Sequence, residues 1–426
     1  MAELERSLGL ATTTLLGVGV ILGAGIYALV GKATGLAGEA VWLSFVGAAL
    51  VAGLTGLSYA ELAAAIPRAG AEYHYARRAF GPLVAFLVSW LLLAGLAVAS
   101  GAVALGFGGY LAALAELPTV AGGLLCLAAC TALACWGTRE TAAVAVLCTL
   151  LEVGGLLVVL VVGLPHVGDV DLTNMPHGWA GVGAAATLIF FAYIGFEEIV
   201  QLAEETKDPA HTMPRALLGS IAITTVLYVL VALAAVAVVG WEELAASDAP
   251  LAAVTDAALG SEASAALAMV ALFSTGNTVL LLIVSAARLL WGMAEDGALP
   301  AGLARVGTTK KTPWVATLIV AGLAGGVMAM AGRIETIANL VNLALFATFL
   351  AMNASLIALR WKEPELERPF RVPGAIPVPG LPGPLPVLPV LGIASVVVMA
   401  VSTGVQALGI GLVVLATGAA VYFGRR

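Results

Sequence analysis

Few residues in this sequence are equipped for chemistry, and those few lie in unusual places. Glu152 sits in CTLLEVGGLL, about eleven residues from either end of an apolar run, too deep for a short side chain to reach water if that run crosses a bilayer. A charge placed there costs about 2.5–3.5 kcal/mol on insertion scales. Three readings of Glu152 stay open: it cycles a proton, it helps hold a cation, or it stays neutral and donates one structural hydrogen bond to a neighbouring helix. Ser274, Thr275, Asn277 and Thr278 form a polar patch inside another apolar run. Cation ligands, partners of Glu152 and hydrogen-bonded helix packing account for that patch equally well. Glu197 and Glu198 follow Gly195 almost at once in IFFAYIGFEEIV. Other chemistries lack their residues. His74, His166, His177 and His211 all fall between apolar runs, which leaves no haem or copper ligands inside them. Cys126, Cys130, Cys135 and Cys148 read as small apolar packing residues. No GxxxxGK[ST] run offers a nucleotide phosphate site, and neither cofactor nor metal is expected.

Glycine placement says where the chain leaves helical geometry. Most of the 50 Gly suit close helix packing. The run LLGVGVILGAGIYALVG differs, because Gly17, Gly19, Gly23 and Gly25 crowd its centre, where glycine lets a backbone unwind at little cost. Gly195 occupies a similar place five apolar runs later. If both helices break at mid-membrane, the outer half of the first begins at Gly23, Ala24 and Gly25 with free N–H groups, which suit a carboxylate. The outer half of the other ends near Phe191 to Ile194 with unpaired carbonyls, which suit an ammonium. Together they would receive the two charged groups shared by all amino acids.

The elements that position these residues follow from composition. Hydrophobic residues make up 61% and charged residues 11%, a balance that suits a multi-pass membrane protein and excludes a soluble fold. A net charge of −7 without a basic run gives no footprint for nucleic acid. About 20 apolar residues cross a bilayer as helix. Cutting the chain at polar and Pro/Gly clusters predicts twelve spans, near 10–30, 39–66, 82–112, 119–138, 140–163, 180–203, 214–240, 263–290, 313–331, 336–360, 387–404 and 406–423. With both termini cytoplasmic, all of the 19 Lys and Arg except Lys32 and Arg333 lie at or near the inner side, as the positive-inside rule requires. Arg425 and Arg426 favour twelve spans over eleven. Spans one and six carry the glycine breaks, so the fold predicted is all-α, with five-plus-five inverted repeats over 10–163 and 180–360 and two further helices over 387–426. The stretch 361–386 is a Pro-rich cytoplasmic connector, extended because proline breaks helix. Glu204 and Glu205 are expected to meet Arg68, Arg77 or Arg78 in ion pairs at the cytoplasmic ends.

Five segments in order resemble the amino acid, polyamine and organocation (APC) transporter superfamily. They are GVGVILGAGIY in span one, PRAGAEYHYARRAFG at Pro67 to Gly81, FFAYIGFEEIVQLAEETKDPAHTMPRA at Phe190 to Ala216, AEDGALP at Ala294 to Pro300 and ERPFRVPG at Glu367 to Gly374. The resemblance implies a LeuT-like permease, not an enzyme, in the cell membrane. It implies that Ile21, Gly23, Ala24 and Gly25 line an amino acid site with Phe191, Ile194 and Gly195, Phe191 closing over the substrate. Glu197 matches a family carboxylate that helps couple gate movement. Glu152 stands where many members have a lysine in place of a sodium ion. With Ser274 and Thr275, it is expected to couple transport to a proton; sodium coupling and exchange, polyamine exchange included, stay open. No repeated pore segment or ring of like residues favours a channel.

Overall fold

The computed structural model describes residues 6–115, 117–247, 249–308, 310–330, 334–401 and 405–424. Arg333, Arg425 and Arg426, which enter the charge bias, lie outside these residues, as does the side chain of Ala24.

Among the described residues fifteen α-helices follow one another: α1 (Leu10–Ala37), α2 (Val41–Ala65), α3 (Ala71–Phe80), α4 (Pro82–Ala115), α5 (Thr119–Trp136), α6 (Thr138–Gly163), α7 (Gly178–Tyr193), α8 (Pro209–Val239), α9 (Trp241–Ala246), α10 (Pro250–Leu259), α11 (Ser261–Glu295), α12 (Trp314–Met330), α13 (Ile334–Lys362), α14 (Val387–Val401) and α15 (Val405–Gly424). Proline opens α4, α8 and α10, where its missing N–H and fixed φ cost nothing. Nine helical segments among the described residues are long and apolar enough to cross a membrane. The expected spans 313–331, 387–404 and 406–423 fall on shorter apolar helices. The loop expected between spans two and three contains α3, which carries His74.

Two helices are interrupted. Gly23 has non-helical angles (φ 5°, ψ −166°) inside α1. α7 stops at Tyr193, Ile194 is extended, Gly195 turns the chain at φ 120°, and a 3₁₀ helix runs from Phe196 to Glu205. The second half of that span therefore winds more tightly than the expected α-helix. α1 lies at the centre of the bundle, packed against α6, α7, α8 and α11, so its break is enclosed by protein rather than lipid.

One face of the molecule gathers the basic residues. Arg77 pairs with Asp296 and Arg78 with Glu363, tying α3 to the ends of α11 and α13, while Lys310 pairs with Glu140. Glu205 meets Arg288, not the arginines expected from sequence, since Arg77 and Arg78 are already engaged. The chain's start joins this face. Ser7 and Leu8 donate backbone N–H groups to the Glu205 carbonyl at 2.9 and 3.0 Å, and Lys207 N–H returns to the Leu8 carbonyl at 2.8 Å. The proline-rich connector is extended and also folds on itself, with Ala375–Ile376 antiparallel to Leu385–Pro386. Val372 fastens it to α2 by donating its N–H to Glu61 at 2.7 Å.

Candidate functional site

The two breaks touch. A Cβ on Gly25 would stand 2.8 Å from Ala192 Cα in α7, and one on Gly195 would run into Val20 in α1. Gly195 also needs its positive φ, which side chains rarely adopt. Tyr228 of α8 holds both breaks: its hydroxyl donates to the Ile21 carbonyl at 2.6 Å and lies 3.1 Å from the Ala192 carbonyl. The 3₁₀ helix is anchored by its first ring, Phe196, which stacks on Phe349 at 5.4 Å and meets Tyr59 edge-on at 6.0 Å.

Between the breaks lies a cavity of about 60 Å³. Ile21, Gly23 and Gly25 line it from α1, and Phe191 and Ile194 from the broken α7 segment. Gly195 sets the turn behind them without lining the space. Ala99 and Val103 of α4, Thr278 and Leu282 of α11 and Val341 of α13 complete the wall with Val20, Ala192 and Glu198. Ligand pockets commonly span ~300–1,000 Å³, so the space as it stands is small for a ligand. A helix restarted after Gly23 directs its first N–H groups and positive dipole end at the cavity. The end of α7 directs carbonyls there. One small space thus offers opposite partial charges to a zwitterion.

Glu197 and Glu198 divide their roles. Glu197 caps the break, accepting the Gly195 N–H at 3.0 Å. Glu198, only 3% exposed, lines the cavity, and its carboxyl is faced by the Ser285 hydroxyl but by no cation.

A second polar cluster lies behind α1. Glu152 is fully buried, faced by Ser274 and Asn277 from α11, and both its carboxyl oxygens lack a hydrogen-bond partner. Asn277 Nδ2 donates to Thr149 Oγ1 at 3.3 Å, and Tyr27 donates to the Glu152 backbone carbonyl at 3.4 Å. Gly19 makes the approach possible, because a Cβ there would collide with Thr149 and come within 3.0 Å of Asn277. Ser274 is thus brought to Glu152, whereas Thr275 bonds back to the Ala271 and Leu272 carbonyls of its own helix. Helical spacing could have separated them, since Ser274 shares a face with Asn277 and Thr278 at i+3 and i+4. Tyr228 gave no comparable signal.

Toward the basic face, Gln201 joins the 3₁₀ helix to α3. Its Oε1 accepts the Gly70 and Ala71 N–H groups at 2.9 and 3.3 Å, and its Nε2 donates to the Glu72 carboxylate. Burial, opposed by hydrogen bonds, pushes the Glu72 carboxyl up to about 8. Burial, with Arg68 and Arg77 adding to it, pushes His74 down to about 4.

Residues 8–421 match the family model described as amino acid permease. The branched-chain amino acid permease BcaP of Bacillus subtilis (strain 168) is 32% identical over 401 residues, covering 89% of this chain and 86% of its own. The methylthioribose transporter of the same organism is 33% identical, covering 88% and 86%. Cationic amino acid transporter 4 of Mus musculus is 30% identical, covering 85% of this chain and 61% of its own.

Proposed function

The chain belongs to the amino acid permease family, and on that premise we propose that it is a secondary active transporter that carries an amino acid across the cell membrane by alternating access. The observation that carries this reading is the meeting of two interrupted helices around one enclosed cavity, each offering the backbone charge that the other lacks. In this reading the substrate carboxylate sits at the restarted half of α1, from Gly23 to Gly25, and the ammonium at the carbonyls of Phe191 to Ile194. Phe191 closes over the bound molecule.

The chain crosses the membrane twelve times, as five-plus-five inverted repeats and two added helices, with the shorter helices α12, α14 and α15 as spans nine, eleven and twelve. The basic face is cytoplasmic. Support comes from the gathering of Arg77, Arg78, Arg288 and Lys310 on the face to which the start of the chain is bonded.

Glu152 carries the coupling proton, and Ser274 and Asn277 receive it as donor or acceptor in turn. A buried carboxyl without a cation can bind and release a proton at little structural cost, whereas sodium needs a cage of several oxygens. Purified protein in proteoliposomes tests this with a panel of labelled amino acids under imposed proton or sodium gradients. Wild type is expected to accumulate substrate under an inward proton gradient. Glu152→Gln is expected to lose at least tenfold of that accumulation and keep exchange of substrate for substrate. Unchanged proton dependence in Glu152→Gln removes it from coupling, accumulation driven by sodium alone replaces the proton, and exchange without accumulation makes the protein an exchanger.

A further inference from the structure

Of the two carboxylates that follow Gly195, the second has no task in the fold. Glu198 N–H bonds to the Gly195 carbonyl at 3.0 Å, and its own carbonyl accepts Ser285 Oγ at 3.5 Å, so its backbone is held at both ends. Its side chain meets no cation, only the neutral Ser285 hydroxyl. It is the one ionisable side chain among the described residues lining the cavity, whose wall is otherwise apolar apart from Thr278. Thr278 spends its hydroxyl proton on the Ser274 carbonyl at 3.1 Å. The charged groups closest to Glu198 are Glu197 and Glu72, which repel it. The buried arginines Arg288 and Arg360 are occupied by Glu205 and Glu61. Among the described residues no cation compensates this carboxylate.

A zwitterion in the cavity would not compensate it either, since both of its charges are met by the helix ends. We propose that Glu198 selects the cargo: it pairs with a positive group on the substrate side chain, so that the amino acid carried is one with an ammonium or guanidinium at its far end. This rests on the transport reading above and adds a substrate class to it. A buried carboxyl that can form an ion pair only with the substrate favours a substrate that brings the cation over an analogue that lacks it.

Lysine and norleucine have the same carbon skeleton and differ by one terminal ammonium, which makes them the informative pair. In proteoliposomes, wild type is expected to take up labelled lysine at least tenfold better than norleucine, measured as kcat/KM. Glu198→Gln is expected to lose lysine uptake at least tenfold and to gain norleucine uptake severalfold, and Glu198→Asp to keep the lysine preference. Preference of wild type for norleucine, or a ratio unmoved by Glu198→Gln, overturns the proposal. A pH dependence of norleucine uptake that vanishes in Glu198→Gln also overturns it, by making Glu198 a proton carrier. If Glu198→Gln does not fold, the wild-type ratio alone decides. Uptake of any amino acid keeps the transport reading standing however that ratio falls; uptake of none overturns both.

Discussion

Glu61 and Glu205 are as deeply buried as Glu152 and Glu198, yet the two pairs live in opposite circumstances. Arg288 meets Glu205 through two nitrogens, Nε to Oε2 at 2.5 Å and NH2 to Oε1 at 2.8 Å, and Thr138 adds a hydroxyl at 2.6 Å. Glu61 receives Arg360, Arg368 and the Val372 N–H. Glu152 and Glu198 receive no cation, and only neutral side chains face them, Ser274 and Asn277 for the first and Ser285 for the second. The closed pairs lock helix ends together at the basic face. The open ones border the two breaks, where a charge can be supplied from outside. A buried carboxylate that the fold does not neutralise is available to something that comes and goes.

The contrast breaks most readily at Arg288. Arg288→Leu turns a closed carboxylate into an open one and is expected to cost about 3–5 kcal/mol, while replacing both partners by leucine recovers most of that loss. Unfolding in detergent micelles measures it. Glu152→Gln should leave stability unchanged or raised in the same assay; an equal loss from both variants would erase the distinction.

Glu72 stands between the extremes, held by an amide rather than a cation. Its carboxyl is raised from 4.5 to about 8, so its stabilising contribution is complete below the unfolded value and declines as pH rises toward 8. His74, lowered from 6.5 to about 4, acts in the opposite sense and only below 6.5. From pH 6.5 to 8, Glu72 is expected to contribute a fall in stability of up to about 1.4 kcal/mol per pH unit. Glu72→Gln should lessen the measured slope, and a slope unchanged in the variant would remove Glu72 from it.

At the weak end is Lys310 with Glu140, a pair of the same chemistry at partly exposed positions. Lys310→Ala should leave stability nearly unchanged, with any effect shrinking further in salt. A larger loss would mean that pairing, rather than burial, sets the value of these bridges.

How far the sequence revealed this arrangement depends on what each residue needed. Gly23 and Gly195 were legible as interruptions because their spans are otherwise uniform apolar helix; Phe191 to Ile194 were placed beside the second break, and Ile21 was named through the family resemblance. Glu152 was legible by depth alone. Which of Glu197 and Glu198 turns inward was not, because that depends on the tighter 3₁₀ winding after Gly195, and an α-helix would rotate the two differently. Ala99, Val103 and Val341 carry no mark, being ordinary apolar residues on helices brought near only by the packing of the whole bundle. The partner of Glu205 was misjudged for a related reason: Arg288 lies inside an apolar run, 83 residues away, and only the bundle brings it close.

The bonds among Ser7, Leu8, Glu205 and Lys207 have a mechanical meaning. They yoke the segment leading into the first broken helix to the far end of the second, so on the transport reading proposed above the two arms on the basic side are expected to shift together, as one lever.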